Sequence, residues 1–232
     1  MDKREQIQQF YLLQVNDALF PIGGYSHSQG LETYIQKGIV HDEKTAGEYI
    51  RNKLGWSLLY TDFLAVRLAY ERAKEEDLEA LNKLEDLMEA IRIPMEQREA
   101  SRKMGSRFAK TIAQLSIEKT EIWEQYLEAR RQKSIAHCCV YGVFCASLNL
   151  PLQEVLAHYL YAQTSAMVTN CVKSIPLSQS VGQKLLCGCY KLFPELIETV
   201  MRLSEKNLGL SAPGFDIRGI QHERLYSRLY MS

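Results

Sequence analysis

The sequence has no excess charge of either sign: 28 Lys and Arg balance 28 Asp and Glu among 232 residues. This neutrality removes the general electrostatic case for binding nucleic acid or an anionic membrane surface. It also leaves association with other chains unopposed by self-repulsion. No run approaches the roughly 20 apolar residues that a membrane span needs. The opening MDKREQIQQF is charged and has no apolar core, so no signal peptide is expected. There is no C-x-x-C and no H-x-x-x-H spacing for a metal site. There is no phosphate-loop sequence, no G-x-G-x-x-G after a strand and no G-x-S-x-G nucleophile turn, so neither nucleotide binding nor serine hydrolysis is indicated. No period-2 strand pattern, Asn-Gly or Asp-Gly hairpin, internal repeat or low-complexity linker occurs.

What is present is amphipathic helix. An apolar fraction of 46% suits a globular chain able to bury a substantial core. The expectation is one all-α domain, a bundle of about eight to ten helices. The first spans 5–18, with Ile7, Phe10, Leu13, Tyr11 and Val15 near helical spacing. A helix from Ser26 to Lys37 follows, capped by Ser26 with Gln29 as its capping-box partner. Asp42 caps a long helix to Lys74 whose Gly47 and Gly55 mark close helix contacts. Acidic Glu75-Glu76-Asp77 opens the next, Pro94 precedes one that runs to Gln114, and Glu118–Gln132 forms another. Ser134 caps a helix to Leu148, and Pro151 opens the most regular stripe: Leu152, Val155, Leu156, Tyr159, Leu160, Gln163, Met167 and Cys171. Helices from Ser178 to Tyr190 and from Pro194 to Leu203 complete the bundle, with a short one near His222. Residues 67–110 carry 20 charged side chains and 151–200 only 6, which marks the first as solvated periphery and the second as core or interface.

One stretch departs from this pattern. Asn16–Tyr34 packs Pro21, Gly23, Gly24, Tyr25, Ser26, His27 and Ser28 between two helical segments. Phe20-Pro21 ends what precedes, and Gly23-Gly24 permits backbone angles closed to other residues. Shape alone allows an interaction surface or an active site. His27 beside two serines would need an orienting acid to act as a base; Glu32 is the nearest in sequence, and no oxyanion hole is evident. Hydrogen bonding within the loop is the simpler role for His27.

Other clusters carry similar alternatives. The six cysteines, Cys138, Cys139, Cys145, Cys171, Cys187 and Cys189, lie in helical apolar stretches and suit reduced thiols in the cytosol. His137-Cys138-Cys139 and Cys187-Gly188-Cys189 place their ligands on different sides of a helix. In 173–183, Lys173, Ser174, Pro176, Gln179 and Gln183 form either a capped helix corner or a second polar contact surface. The tail over 209–232 combines Arg218, Arg224 and Arg228 with Phe215, Tyr226 and Tyr230. Such aromatic and Arg content exceeds that of a disordered terminus and favours a segment that orders on a partner.

Taken in order, five blocks resemble the urease accessory protein UreF family: NDALFPIGGYSHSQGLETYI at 16–35, Arg102-Lys103-Met104-Gly105-Ser106-Arg107-Phe108, HCCVYGVFCA from His137, the Tyr159–Gln183 block, and His222-Glu223 with Tyr226-Ser227-Arg228-Leu229-Tyr230-Met231-Ser232. The resemblance implies an all-helical, cytoplasmic, dimeric protein that is not itself an enzyme. It implies a complex with a UreD/UreH-type accessory protein, recruitment of the UreG-type nickel-carrying GTPase, and docking on apo-urease, with nickel the cargo of the complex and no bound cofactor assigned to this chain. Neither nucleic acid nor membrane is implied. The loop, with Tyr25, and the terminal block, with Arg228, would face the GTPase. His27, Ser174 and Gln179 are candidates along a nickel route. Two alternatives follow: a direct nickel-binding metallochaperone using His137, Cys138, Cys139, Cys187 and Cys189, or a GTPase-activating regulator with Arg228 as an arginine finger.

Overall fold

The computed structural model describes residues 3–210 and 213–232, so residues 1–2 and 211–212 of the expected domain and tail lie outside the description. The described residues form twelve α-helices, three short 3-10 turns and no strand. They are α1 (Lys3–Asn16), α2 (Leu31–Gln36), α3 (Glu43–Trp56), α4 (Asp62–Lys74), α5 (Leu78–Ile91), α6 (Met95–Gln114), α7 (Glu121–Ala129), α8 (His137–Ser147), α9 (Leu152–Ser174), α10 (Gln179–Cys189), α11 (Phe193–Arg202) and α12 (Pro213–His222). The chain is all-α.

The centre is α8. All eleven of its residues are buried, and α4, α6, α7 and α9 surround it. Small side chains make this possible. A methyl group added at Gly142 would lie 2.5 Å from the Val66 carbonyl oxygen, so α8 and α4 touch along their backbones. At Gly105 of α6 the same methyl would meet the Ile135 carbonyl oxygen at 2.2 Å. Around these contacts Phe108 packs against Phe20, Tyr141 and Phe144 with ring centroids 5.5–6.2 Å apart. The 151–200 stretch, expected as core or as a core helix plus an interface, divides: α9 buries Val155, Leu156, Tyr159 and Leu160, while α10 turns Gln179, Gln183 and Cys187 to solvent.

Three expectations need correction. The helix expected over 42–74 is two, α3 and α4, joined by a 3-10 turn at Leu58–Tyr60. Asp42 does cap α3, in a reciprocal box with Thr45. The break at 57–61 is held by tertiary and local bonds that no sequence pattern announces: Gly209 N–H donates to the Tyr60 carbonyl, Thr61 Oγ1 donates to the Ser57 carbonyl, and Asp62 pairs with Arg92 at 2.9 Å. Of the two glycines, Gly47 lies against Leu185 of α10 and Gly55 meets nothing within 4 Å. Second, Ser134 does not cap α8. Its carbonyl accepts two bonds from the buried Arg130 guanidinium, and α8 starts at His137 with the Ala136 N–H given to Glu85. Third, on α1 the inward residues are Leu12 and Val15, whereas Ile7, Phe10 and Leu13 are 51%, 67% and 53% exposed. The apolar set read from the sequence there divides: Val15 and, in part, Tyr11 turn inward, and Ile7, Phe10 and Leu13 face solvent.

Candidate functional site: the loop and the C-terminal tail

The 17–30 loop is shaped by two glycines in the left-handed region. Gly23 has φ 81° and Gly30 φ 86°. A side chain at either is strained by that angle alone, and one at Gly23 would also strike the Arg107 guanidinium. The helix expected from Ser26 is instead a single 3-10 turn, Gly24–Ser26, followed by α2 from Leu31. Ser26 does not cap it; its Oγ donates to the Gly23 carbonyl at 2.8 Å and closes the turn on itself. Gln29 adopts φ 54° and cannot serve as a capping partner. The chain is free to stay irregular here because its backbone groups are met from elsewhere.

They are met by the tail. Ser28 N–H and Gln29 N–H both donate to the Ser232 carbonyl oxygen, and Ser28 Oγ adds a third bond at 2.9 Å. Met231 N–H donates back to the Ser26 carbonyl at 2.8 Å. His27 Nδ1 lies 2.9 Å from Ser232 Oγ, and the His27 carbonyl accepts from Asn170 Nδ2 of α9. Burial, reinforced by nearby Lys103 and Arg107, holds the His27 imidazole below its ordinary pKa, so the neutral ring is favoured. His27 is a structural hydrogen bonder in this arrangement. Glu32 does not orient it.

Glu32 instead organises the tail. Only 5% exposed, it accepts the Leu229 N–H at 2.7 Å on Oε1 and the Tyr230 N–H at 3.3 Å on Oε2. Its Oε2 also lies 3.1 Å from His222 Nε2. The other nitrogen of His222 meets Glu96 Oε2 at 2.6 Å, and Glu96 Oε1 accepts from the Arg228 guanidinium. Glu223 accepts the Met95 N–H at 3.0 Å, satisfying one of the orphan amides at the start of α6. Tyr230 is buried and its hydroxyl meets Ser174 Oγ at 3.3 Å. Further back, Phe215 fixes α12 by packing against Tyr34 and Tyr49, with Lys53 Nζ 4.7 Å from its ring centroid.

The first group of candidate residues therefore comes together. Gly23, His27, Ser28, His222 and Tyr230 are inside the junction; Pro21, Tyr25, Tyr226, Arg228 and Leu229 line its outside. Tyr25 is 72% exposed, Leu229 76%, and Tyr226 has no cover at all. Beside Pro21 an open groove of about 460 Å³ is lined by Leu13, Leu19 and Phe20. The second group divides. Ser174 belongs to the junction through Tyr230, whereas Lys173, Pro176, Gln179 and Gln183 point to solvent. At that corner Ser178 Oγ accepts the Val181 N–H, the capped-corner geometry. Among the described residues no three His, Cys, Asp or Glu side chains converge on a possible metal position. Cys138 and Cys139 are buried in α8, and Cys187 is exposed on α10. Burial pushes the Cys145 and Cys171 thiols up, Cys171 to about 12, so both are protonated.

Comparison with known proteins agrees with the five sequence blocks. The model of the UreF family matches residues 40–190. The chain belongs to the UreF family. A relative from Arthrobacter sp. (strain FB24), described as "Urease accessory protein UreF", is 35% identical over 225 residues, covering 97% of each chain.

Sequence reasoning missed Glu32 and Glu96 as organisers. In the sequence Glu32 stands out only as the acid nearest to His27. Glu96 was lost among the charges of 67–110, where nothing distinguishes it except its place just after Pro94 in the first turn of a helix.

Proposed function

We propose that this UreF family member acts in urease maturation as a non-enzymatic adaptor. With a UreD/UreH-type protein it recruits the UreG-type GTPase and supports delivery of nickel to apo-urease. The observation that carries this reading is the interlock of two segments some 200 residues apart in sequence, through Ser28–Ser232 and Glu32–Leu229, with Tyr25, Tyr226, Arg228 and Leu229 left exposed on the joined segments. Tyr and Arg are the residue types enriched among those that dominate binding energy at protein interfaces. Dimerisation within the complex and a cytoplasmic location belong to the same proposal. No helix among the described residues is long and apolar enough to cross a membrane.

A UreD/UreH-type partner would add cover to what the chain leaves bare, Tyr226, Leu229 and Met231 in the tail, and would fix the tail's population in the docked form. Arg228 is already engaged by Glu96, which suits a docking residue rather than a free arginine finger. The test is co-purification of Tyr25→Ala and Arg228→Ala with the GTPase in the presence of the UreD-type partner. The adaptor reading expects both to lose most of the recruitment; retention by both overturns it.

A further inference from the structure

Through Gln29, the 17–30 loop lines a cavity of about 30 Å³. Its polar wall includes Lys53 of α3, Asp62 of α4, Arg92 just after α5, Gln97 of α6 and Asp216 of α12. Two of these groups lack the partners that their chemistry requires. Gln97 Nε2 is buried and donates to nothing. Lys53 is 5% exposed; the Phe215 ring covers one side of its ammonium, and no hydrogen bond or ion pair reaches it from the other described residues. Burial lowers the Lys53 ammonium to about 8, and the negative charges of Asp62 and Asp216 work against that, so it is a cation at pH 7. A buried donor without an acceptor costs free energy, and a buried ammonium without one costs more.

The wall decides what fills the space. Asp62 accepts from Arg92 at 2.9 Å and from Thr61 at 3.2 Å. Lys53 and Arg92 against Asp62 and Asp216 leave the wall without net charge. An anion would meet two carboxylates, and a metal cation would meet two side-chain cations. The group that fits is small and neutral, accepts from Lys53 and Gln97, and donates to a carboxylate. Water has these properties. On the same measure of volume one water takes about 10–15 Å³, so there is room for about two.

We propose that this cavity is a binding site for about two long-lived waters, which accept from Gln97 Nε2 and the Lys53 ammonium and donate toward Asp62 and Asp216. The waters tie α3 and α6 to α12 and let Lys53 stay charged beneath the Phe215 ring that fixes α12. The site stands apart from the adaptor role, and its test involves no partner protein.

The experiment is a crystal structure of the full chain, at a resolution that shows ordered water, from crystals soaked in sodium bromide. The expected result is a water oxygen within hydrogen-bond distance of Gln97 Nε2 and of at least one of Lys53, Asp62 and Asp216, with no anomalous bromide peak in the cavity. A bromide peak overturns the proposal in favour of an anion site. A dry cavity, or Gln97 Nε2 bonded directly to a protein atom, overturns it outright. Gln97→Leu is expected to lose the water nearest that side chain while the Arg92–Asp62 pair stays in place; the same water in the same position overturns the assigned contact. In solution, NOE and ROE cross-peaks of opposite sign between water and the Gln97 side-chain amide protons support a long-lived water, and cross-peaks of the same sign, as passing solvent gives, overturn it.

Discussion

The chain buries two histidines at helix ends in opposite ways, and the contrast separates its two halves. His137 begins α8 among Phe108, Tyr141 and Tyr159, with Nε2 buried and without a hydrogen-bond partner. Burial pulls its pKa down to about 4. His222 ends α12 between two carboxylates, which also hold Arg228, Leu229 and Tyr230 of the tail. The interior around His137 is held by shape: backbones in contact at Gly142 and Gly105, aromatic rings edge to face. The junction around His222 is held by polar groups drawn from α2, α6, the loop and the tail. An interior of that kind tolerates almost no added volume and little added charge. A junction of the second kind can be released without unfolding what lies beneath it.

The sharpest way to break this distinction is to add volume where the interior has none. Gly142→Val should cost about 3 kcal/mol or more through overpacking against Val66, seen as a fall in Tm of roughly 6–12 °C. A neutral result would mean that α4 and α8 are not in backbone contact. The pH response comes next. An imidazole ordinarily titrates near 6.5 and His137 near 4, so the unfolded chain takes up a proton first as pH falls. The stability that the neutral ring provides is intact above pH 6.5 and lost between there and about 4, by up to ~3 kcal/mol. Denaturant titrations of wild type and His137→Phe over this window should diverge by that amount, with the variant the flatter of the two.

Smaller effects belong to the junction. Glu32→Ala removes the acceptor of two tail amides and one partner of His222. We expect about 1–2 kcal/mol of lost stability but a large gain in proteolysis of 223–232, with the helical core left intact. Smallest of all, Tyr226→Ala should change stability by less than about 0.5 kcal/mol, because the side chain is fully exposed. A larger loss would show that the tail packs differently.

The division also explains what the sequence revealed. Helix type and most helix positions follow from local signals: Asp42 and Ser178 cap where their chemistry predicts, and Pro94 and Pro151 precede helices. Signals failed where the decisive partner is distant in sequence. Nothing near Ser57 announces the turn that Gly209 and Arg92 stabilise, and nothing near Ser134 shows that its carbonyl is committed to Arg130. Spacing on α1 identified apolar positions but not which of them face inward, since Leu12 and Val15 compete with an equally apolar outer stripe. At the site, the loop and tail were visible as unusual stretches. Their interlock was not, because an isolated Glu32 or Glu96 carries no mark of the partners that the fold brings to it.

In the proposed adaptor, loop and tail act as one presenting surface. Co-purification of Glu32→Ala with the UreG-type GTPase, in the presence of the UreD-type partner, tests it most directly. Glu32 is buried and cannot touch the GTPase, yet it holds the segment that carries Arg228. Glu32→Ala is expected to stay folded, by circular dichroism, and to lose recruitment as Tyr25→Ala and Arg228→Ala do. Full recruitment by folded Glu32→Ala would contradict it.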